Sequence, residues 1–396
     1  MVTTSKIKIL MIAFGHPDNV LSLCKNIADV TELSLVFVMS GDRFQQGILN
    51  IDISNLNYGL NTSVNSLKVL PKVIQEYINS NFNLRIIRTP SRKILRDKYL
   101  KNFWSIIKAA RALRKENYNV VHFNGVSGFM YYFLLIFGTR KNIWTLHDFL
   151  SHSGEENKKS FMVQKLLAKF NFHFIQHYKY LQNALIKEYK LKKSLVSQVY
   201  SGKLDVFNVY EPMPISIDGN FILFFGRISK YKGIDLLIDA FNNISNPDNV
   251  KLVIAGKGKM CFDNASITQN KNITFINRYL ETEELVHLVR NSLFIVIPYI
   301  DATHSATVVT SYALNKSVIA TNVGGISEVV FDNKTGLLVN PRDIKNLKDA
   351  IEKLINDEQL RTEFEQNIEY YCNESEFSWN FIKNKMVKIY STVVNS

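Results

Sequence analysis

No run of apolar residues in this chain approaches the roughly 20 that a membrane-spanning helix needs. The longest, "GFMYYFLLIFG" at 128–138, suits a short buried helix. Cysteine is scarce, with three residues at 24, 261 and 372, and no CxxC or other metal-ligand spacing among them. That excludes a disulfide or zinc framework and points to single thiols in a reducing compartment. No Asp-x-Asp pair occurs, so no metal bridge to a diphosphate is expected, and no metal or other cofactor. There is no low-complexity tract and no repeat of solenoid period. The opening "MVTTSKIKILMIAFG" runs from a brief apolar stretch into Gly15-His16-Pro17 without a cleavage site. A cytoplasmic protein without a secretory leader is therefore expected. Acid is short as well: 35 Asp and Glu stand against 48 Lys and Arg, a formal charge of +13. Between Glu284 and Glu328 there is no glutamate, and Asp301 is the only carboxylate.

What is present is an alternation of short apolar runs with amphipathic stretches, the pattern of parallel βαβ units. Strands are expected at "KIKILMIAF", "LSLVFVM", "LRIIR", "NVVHF", "KNIWTLH" and "FHFIQ" in the first half. In the second they are expected at "GNFILFFG", "NVKLVIAG", "NITFI", "SLFIVIP", "SVIAT" and "TGLLV". With 396 residues, this makes an α/β protein of two doubly wound, Rossmann-like domains facing across a cleft. The expected boundaries are 1–208, a linker at 209–220 ("VYEPMPISIDGN"), 221–375, and a closing helix at 376–396 that returns to the first domain.

The positive charge is concentrated. Residues 85–115 hold eleven Lys or Arg against one Asp97. "YLKNFWSIIKAARALRKENY" has helical spacing, with Leu100, Phe103, Trp104, Ile107 and Ala110 or Arg111 on its apolar side. Arg92, Lys93, Arg96, Lys108, Arg111, Arg114 and Lys115 form a basic side suited to anionic lipid headgroups, although an ordinary solvated helix has the same pattern. Nucleic acid is not an expected partner, because no motif for it is present.

Two stretches suit phosphate. In "LFFGRISKYKG" (223–233) a strand ends at Gly226, Arg227 and Lys232 follow, and Gly233 opens a helix. A helix N-terminus with unpaired amides beside two cations favours a diphosphate, though a basic surface turn reads the same way. In "PYIDATHSATVVTSYALNK" the loop delivers Ser305 and Thr307 to a helix start, as a phosphate contact or a plain cap. Ala306, Val309, Ala313 and Leu314 are expected to face inward. The paired glycines of "TNVGGISE" permit close backbone approach to a ligand.

Together "GRISKYKG", "VIAGKG", "SVIATNVGGISEVV", "NKTGLLV" and the closing "FSW…KIY" resemble the donor half of the retaining glycosyltransferases of family 4, which have the GT-B fold. "WTLHDF" is similar to the T-x-H-D motif at that family's cleft, and Gly15 falls at its glycine loop. The resemblance implies that His147 faces the reacting sugar, with Asp148 orienting it or the acceptor. It also implies that Gly15, Arg227, Lys232, Gly256, Asp301, His304, Ser305, Thr307, Thr310 and Glu328 surround the donor.

The chain departs from the family at one point. Where most members carry two glutamates eight positions apart, it has Ala302 and Thr310. "DATHSATVV" resembles instead the D-A-T-Q-S-G-V variant of members linked to surface polysaccharide. The implied activity is transfer of a sugar from a nucleoside diphosphate sugar (UDP or GDP) to a saccharide, plausibly a lipid-linked acceptor at the inner face of the membrane. Arg227 and Lys232 would hold the leaving diphosphate. The rival expectation is a sugar-nucleotide-binding or scaffold protein that lost its chemistry with the glutamates.

Overall fold

The computed structural model describes residues 6–79, 81–90, 97–139, 141–147, 149, 158–170, 172–245, 250–263, 267, 269–303 and 305–396. Its first sheet contains β1 (Ile7–Ala13), β2 (Thr31–Ser40), β5 (Gly59–Leu60), β6 (Asn83–Thr89), β7 (Val120–Asn124), β8 (Asn142–Thr145), β9 (Phe172–Gln176) and β10 (Val196–Gln198). The order across the sheet is β10-β9-β8-β7-β1-β2-β6-β5. All neighbours are parallel except β5, which runs antiparallel to β6. The second sheet contains β11 (Phe221–Phe225), β12 (Lys251–Gly256), β13 (Ile273–Asn277), β14 (Ile295–Ile297), β15 (Val318–Thr321) and β16 (Gly336–Val339). Its order is β13-β12-β11-β14-β15-β16, parallel throughout.

The central strands are buried along their length, as in Ile9–Ala13 and Phe221–Phe225. Helices cover both faces of a parallel sheet, so its strands read as continuous apolar runs rather than alternating ones. In each sheet the chain winds outward one way and then returns to start the other way. The reversals fall between β1 and β7 and between β11 and β14. Loops leaving the carboxyl ends of such a strand pair splay apart and leave a crevice. The two crevices locate the site.

Among the described residues, contacts in several places join the halves, three of them through side-chain hydrogen bonds. An antiparallel hairpin of β3 (Arg43–Gln46) and β4 (Leu49–Asp52) turns at Gly47, whose carbonyl accepts from the Tyr279 hydroxyl at 2.6 Å. Asn50 in the same hairpin donates to Glu281, which caps the helix Thr282–Asn291. Second, the backbone amides of Lys179 and Tyr180, which open the helix Lys179–Tyr189, donate to the two oxygens of Glu328 at 2.7 Å each. Third, the helix Trp379–Asn395 lies on the first half. Tyr390 is hydrogen bonded to His122 Nδ1 (2.9 Å), and Lys383 pairs with Asp29 (2.8 Å). Residues 211–220 run between the sheets without helix or strand.

Several local expectations need correction. In the helix Asp97–Arg114 the inward row is Ile106, Ile107, Ala109, Ala110 and Leu113, whereas Trp104 is 53% exposed. Trp104 lies about 200° around the helix from Ile106 at 3.6 residues per turn, so it points outward beside the cations. Arg85 and Arg88, counted among the basic residues of 85–115, lie in β6, the strand expected at "LRIIR", and add nothing to the basic helix. Each is buried and paired, with Glu116 and Asp42 respectively. In the helix Ala306–Ala313, Val308 takes the inward place expected of Val309, and Ala306 is exposed. No described helix is long and apolar enough to cross a membrane.

Candidate functional site

The second sheet's crevice is built on close backbone contact. β12 ends at Gly256 with φ 154°, where a Cβ would stand 1.7 Å from the Gly226 carbonyl oxygen. Only glycine lets these strand ends touch. Beyond Gly226 the chain makes a single 3-10 turn, Lys230–Lys232, before the helix Ile234–Asn242. The Tyr231 carbonyl accepts from the Ile300 amide at 2.8 Å, tying this turn to the loop after β14. As a result Lys232 Nζ lies 3.6 Å from the centroid of the Tyr299 ring and 4.9 Å from that of Tyr231.

Tyr299 is fully buried, and its hydroxyl shares a 2.8 Å hydrogen bond with Thr307. Burial alone would raise the phenol pKa. The Lys232 ammonium, followed by the Thr307 and Ser305 hydroxyls, outweighs burial and brings it below the ordinary tyrosine range. Ser305 and Thr307 are themselves buried at the start of the helix Ala306–Ala313. The crevice is thus a half-buried ammonium beside buried hydroxyls at a helix start, an arrangement that favours an anion.

The first sheet contributes imidazoles. His16 follows Gly15 after β1 in the left-handed region (φ 53°) and leads into the helix Pro17–Ile27. Its ring stacks on His147 at 4.0 Å, and His147 lies 5.0 Å from His177. His147 Nε2–H donates to Asn124 Oδ1 at the end of β7 (2.8 Å). His177 Nδ1–H donates to the Val199 carbonyl (2.9 Å). One residue on, the Tyr178 ring abuts Gly325, where a Cβ would come within 2.7 Å of it. The Gly325 amide in turn donates to Thr303 O (3.2 Å). The histidine stack and Thr303 therefore flank the same Tyr178–Gly325 contact between the halves. Asp18, in the first turn after His16, has its carboxyl raised by burial, with His16 opposing.

The expected residues distribute as follows. Gly15, His147, Gly256, Lys232, Ser305 and Thr307 lie at strand ends, turns and helix starts around the two crevices. Arg227 follows Gly226 and is exposed, and Asp301 is half-buried in the loop after β14. Thr310 is 4% exposed within its helix, which leaves little surface for the ribose contact expected of it. Glu328 departs furthest from expectation, since both its oxygens are engaged on the amides of Lys179 and Tyr180. Asp148, His304, Arg92, Lys93 and Arg96 lie outside the described residues. Lys108, Arg111 and Arg114 are exposed on the helix Asp97–Arg114, and Lys115 is exposed just beyond it. Among the described residues, no group of three His, Cys, Asp or Glu is arranged to hold a metal ion.

Sequence reasoning missed His16, Asn124, His177 and Tyr299. Each stands at, or within three residues of, the carboxyl end of a parallel strand, and that position is the signal that marks them.

Residues 211–370 match the family described as Glycosyl transferases group 1. Over 174 residues the chain is 34% identical to MJ1178, an uncharacterized glycosyltransferase of Methanocaldococcus jannaschii, covering 44% of this chain and 48% of that one. Over 183 residues it is 32% identical to CapM, a capsular polysaccharide biosynthesis glycosyltransferase of Staphylococcus aureus, covering 44% and 47%. The chain thus spans about half the length of these curated relatives. In structure it superposes on Anabaena Alr3699/HepE in complex with UDP-glucose, with a TM-score of 0.66 at 16% identity over 97% of this chain and 100% of that one. The fold is GT-B, and the match to the group 1 family lies in its C-terminal half.

Proposed function

We propose that the protein is a retaining glycosyltransferase of family 4 that moves a sugar from a nucleoside diphosphate sugar to a saccharide acceptor. The observation that carries this reading is the pairing of crevices: an ammonium among hydroxyls beyond β11 and β14, and stacked imidazoles beyond β1 and β8, the second held by Asn124 at the end of β7. The group 1 domain and the CapM likeness support transfer in polysaccharide assembly. The UDP-glucose bound by HepE favours UDP as the nucleotide.

In this reading the sugar–phosphate bond breaks while the acceptor hydroxyl approaches the same face. The departing diphosphate oxygen takes the acceptor's proton. Charge grows on the diphosphate as the sugar–phosphate bond breaks, before the proton reaches it and while the acceptor oxygen bonds to the sugar carbon. Lys232, Arg227 and the helix-start amides stabilise it, an effect of several kcal/mol when such groups are fixed in advance. These side chains do the work that a bound cation does elsewhere. His147, held by Asn124 and stacked on His16, lines the sugar's side of the crevice in this reading, with Asp148 beside it in sequence.

The acceptor proposed is lipid-linked, at the inner face of a membrane. Trp104 (53% exposed) and Leu135 (70% exposed) stand out from packed neighbouring helices that also carry Lys108, Arg111 and Arg114, with Lys115 just beyond. A second reading, a binding protein without turnover, is favoured by one observation: Ala302 and Thr310 stand where acids are usual. A thermal-shift screen of UDP-, GDP-, ADP- and CMP-sugars, followed by donor turnover with Lys232→Ala, separates the two. Transfer in the native protein and a loss of orders of magnitude in the variant supports the enzyme. Nucleotide protection with no turnover on any acceptor supports the second reading.

A further inference from the structure

We infer that Tyr299 is the positioning residue for Lys232: its ring face fixes the ammonium at the mouth of the crevice without neutralising it. The inference rests on the diphosphate reading above and adds a residue to it.

Lysine carries its charge on a flexible stem of four carbons, so holding the charge in place needs a partner. The usual partner is a carboxylate, but an ion pair spends on the protein much of the attraction meant for the ligand. This stretch has little acid to use, since Ala302 and Thr310 occupy the customary acidic positions. Among the described residues Lys232 makes no ion pair. It rests instead on the Tyr299 face at 3.6 Å, with the Tyr231 ring at 4.9 Å. An aromatic face attracts a cation through its quadrupole and adds no opposing net charge.

Tyr299 is in turn immobile. It is fully buried, its hydroxyl is held by Thr307 at 2.8 Å, and its carbonyl accepts from Thr321 Oγ1 at 2.5 Å. The lowered phenol pKa agrees with an ammonium held close to it. Such a platform predicts selectivity for the second phosphate of a nucleotide, which is the group Lys232 would meet.

The test compares binding of nucleoside diphosphates and their monophosphates (UDP/UMP, GDP/GMP, ADP/AMP, CDP/CMP) by calorimetry, using the tightest pair. In Tyr299→Leu the diphosphate-over-monophosphate preference should fall about tenfold or more, while monophosphate affinity changes little. Tyr299→Phe keeps the ring face and should recover most of the preference. A general loss of structure would weaken both nucleotides alike, and circular dichroism of each variant reads folding separately. A preference retained in a folded Tyr299→Leu overturns the inference while leaving the diphosphate reading intact. A native protein that binds none of the four pairs overturns both.

Discussion

Removing the Glu328 carboxylate should loosen the start of a helix in the other half of the molecule. Lys179 N and Tyr180 N each donate to one Glu328 oxygen at 2.7 Å, and Tyr178 offers these amides no side-chain cap. The helix dipole favours a negative charge at this end. The site is solvent-facing, so each bond is taken at about 1 kcal/mol rather than at the upper range for charged acceptors. Glu328→Ala then loses roughly 2 kcal/mol of local protection, which corresponds to about 30-fold faster amide exchange. Glu328→Gln keeps one acceptor oxygen and should show about fivefold. Hydrogen–deuterium exchange of a peptide spanning 178–184 reads this directly, with β12 as an internal standard. Exchange within about a factor of two of native in Glu328→Ala would refute the latch. It would also free Glu328 for the donor contact expected from sequence.

Other measurements probe other parts. His122, buried between Tyr390 and Thr145, has its pKa pushed down to about 3, chiefly by burial. Below about pH 6.5 the unfolded chain takes up a proton that the folded chain refuses. Stability carried by this group therefore falls by about 1.4 kcal/mol per unit between roughly pH 6.5 and 3. His122→Gln should flatten the pH dependence of unfolding there by up to one proton, and an unchanged slope would assign it to other groups. Gly256→Ala places a methyl 1.7 Å from Gly226 O, and strand separation there should cost about 3 kcal/mol or more, seen as a lower Tm or insoluble protein. Trp104→Ser with Leu135→Ser should abolish sedimentation with anionic vesicles if the exposed pair is a membrane contact; sedimentation unaffected by both changes would remove that part of the proposal.

The twelve strands expected from sequence all appear, because two-sided burial imposes apolar runs too long to mistake. The strands not foreseen are β3, β4, β5 and β10. "RFQQ" and "LNID" are four residues each and bury only Phe44, Leu49 and Ile51 in the core, too few to stand out as apolar runs, and β5 is two residues long. Register within the helices was less legible. Trp104 and Ala306 both read as inward from hydrophobicity alone, although an exposed aromatic is ordinary where basic residues flank it.

The loops of the site were placed by their glycines, yet their chemistry was only half visible. Lys232 stands out as a charge, whereas Tyr299 reads as another buried aromatic until the turn at 230–232 brings the two together. Glu328 shows the opposite case. A carboxylate in a ligand-binding motif looks functional, but a helix start 148 residues earlier, at Tyr180, claims it.

The helix Trp379–Asn395 has a bearing on biosynthesis. It completes the layer over β7 and β8, where Ile382 and Met386 share a small cavity with Leu23, Thr145, Ile175 and His177. At ribosomal speed, the interval between translating β10 and translating this helix is roughly 10–40 s. Throughout that interval the nascent amino-terminal half must keep an apolar face uncovered, with His122 lacking its tyrosine. Whatever shields the growing chain from aggregation is needed longest by the portion made first.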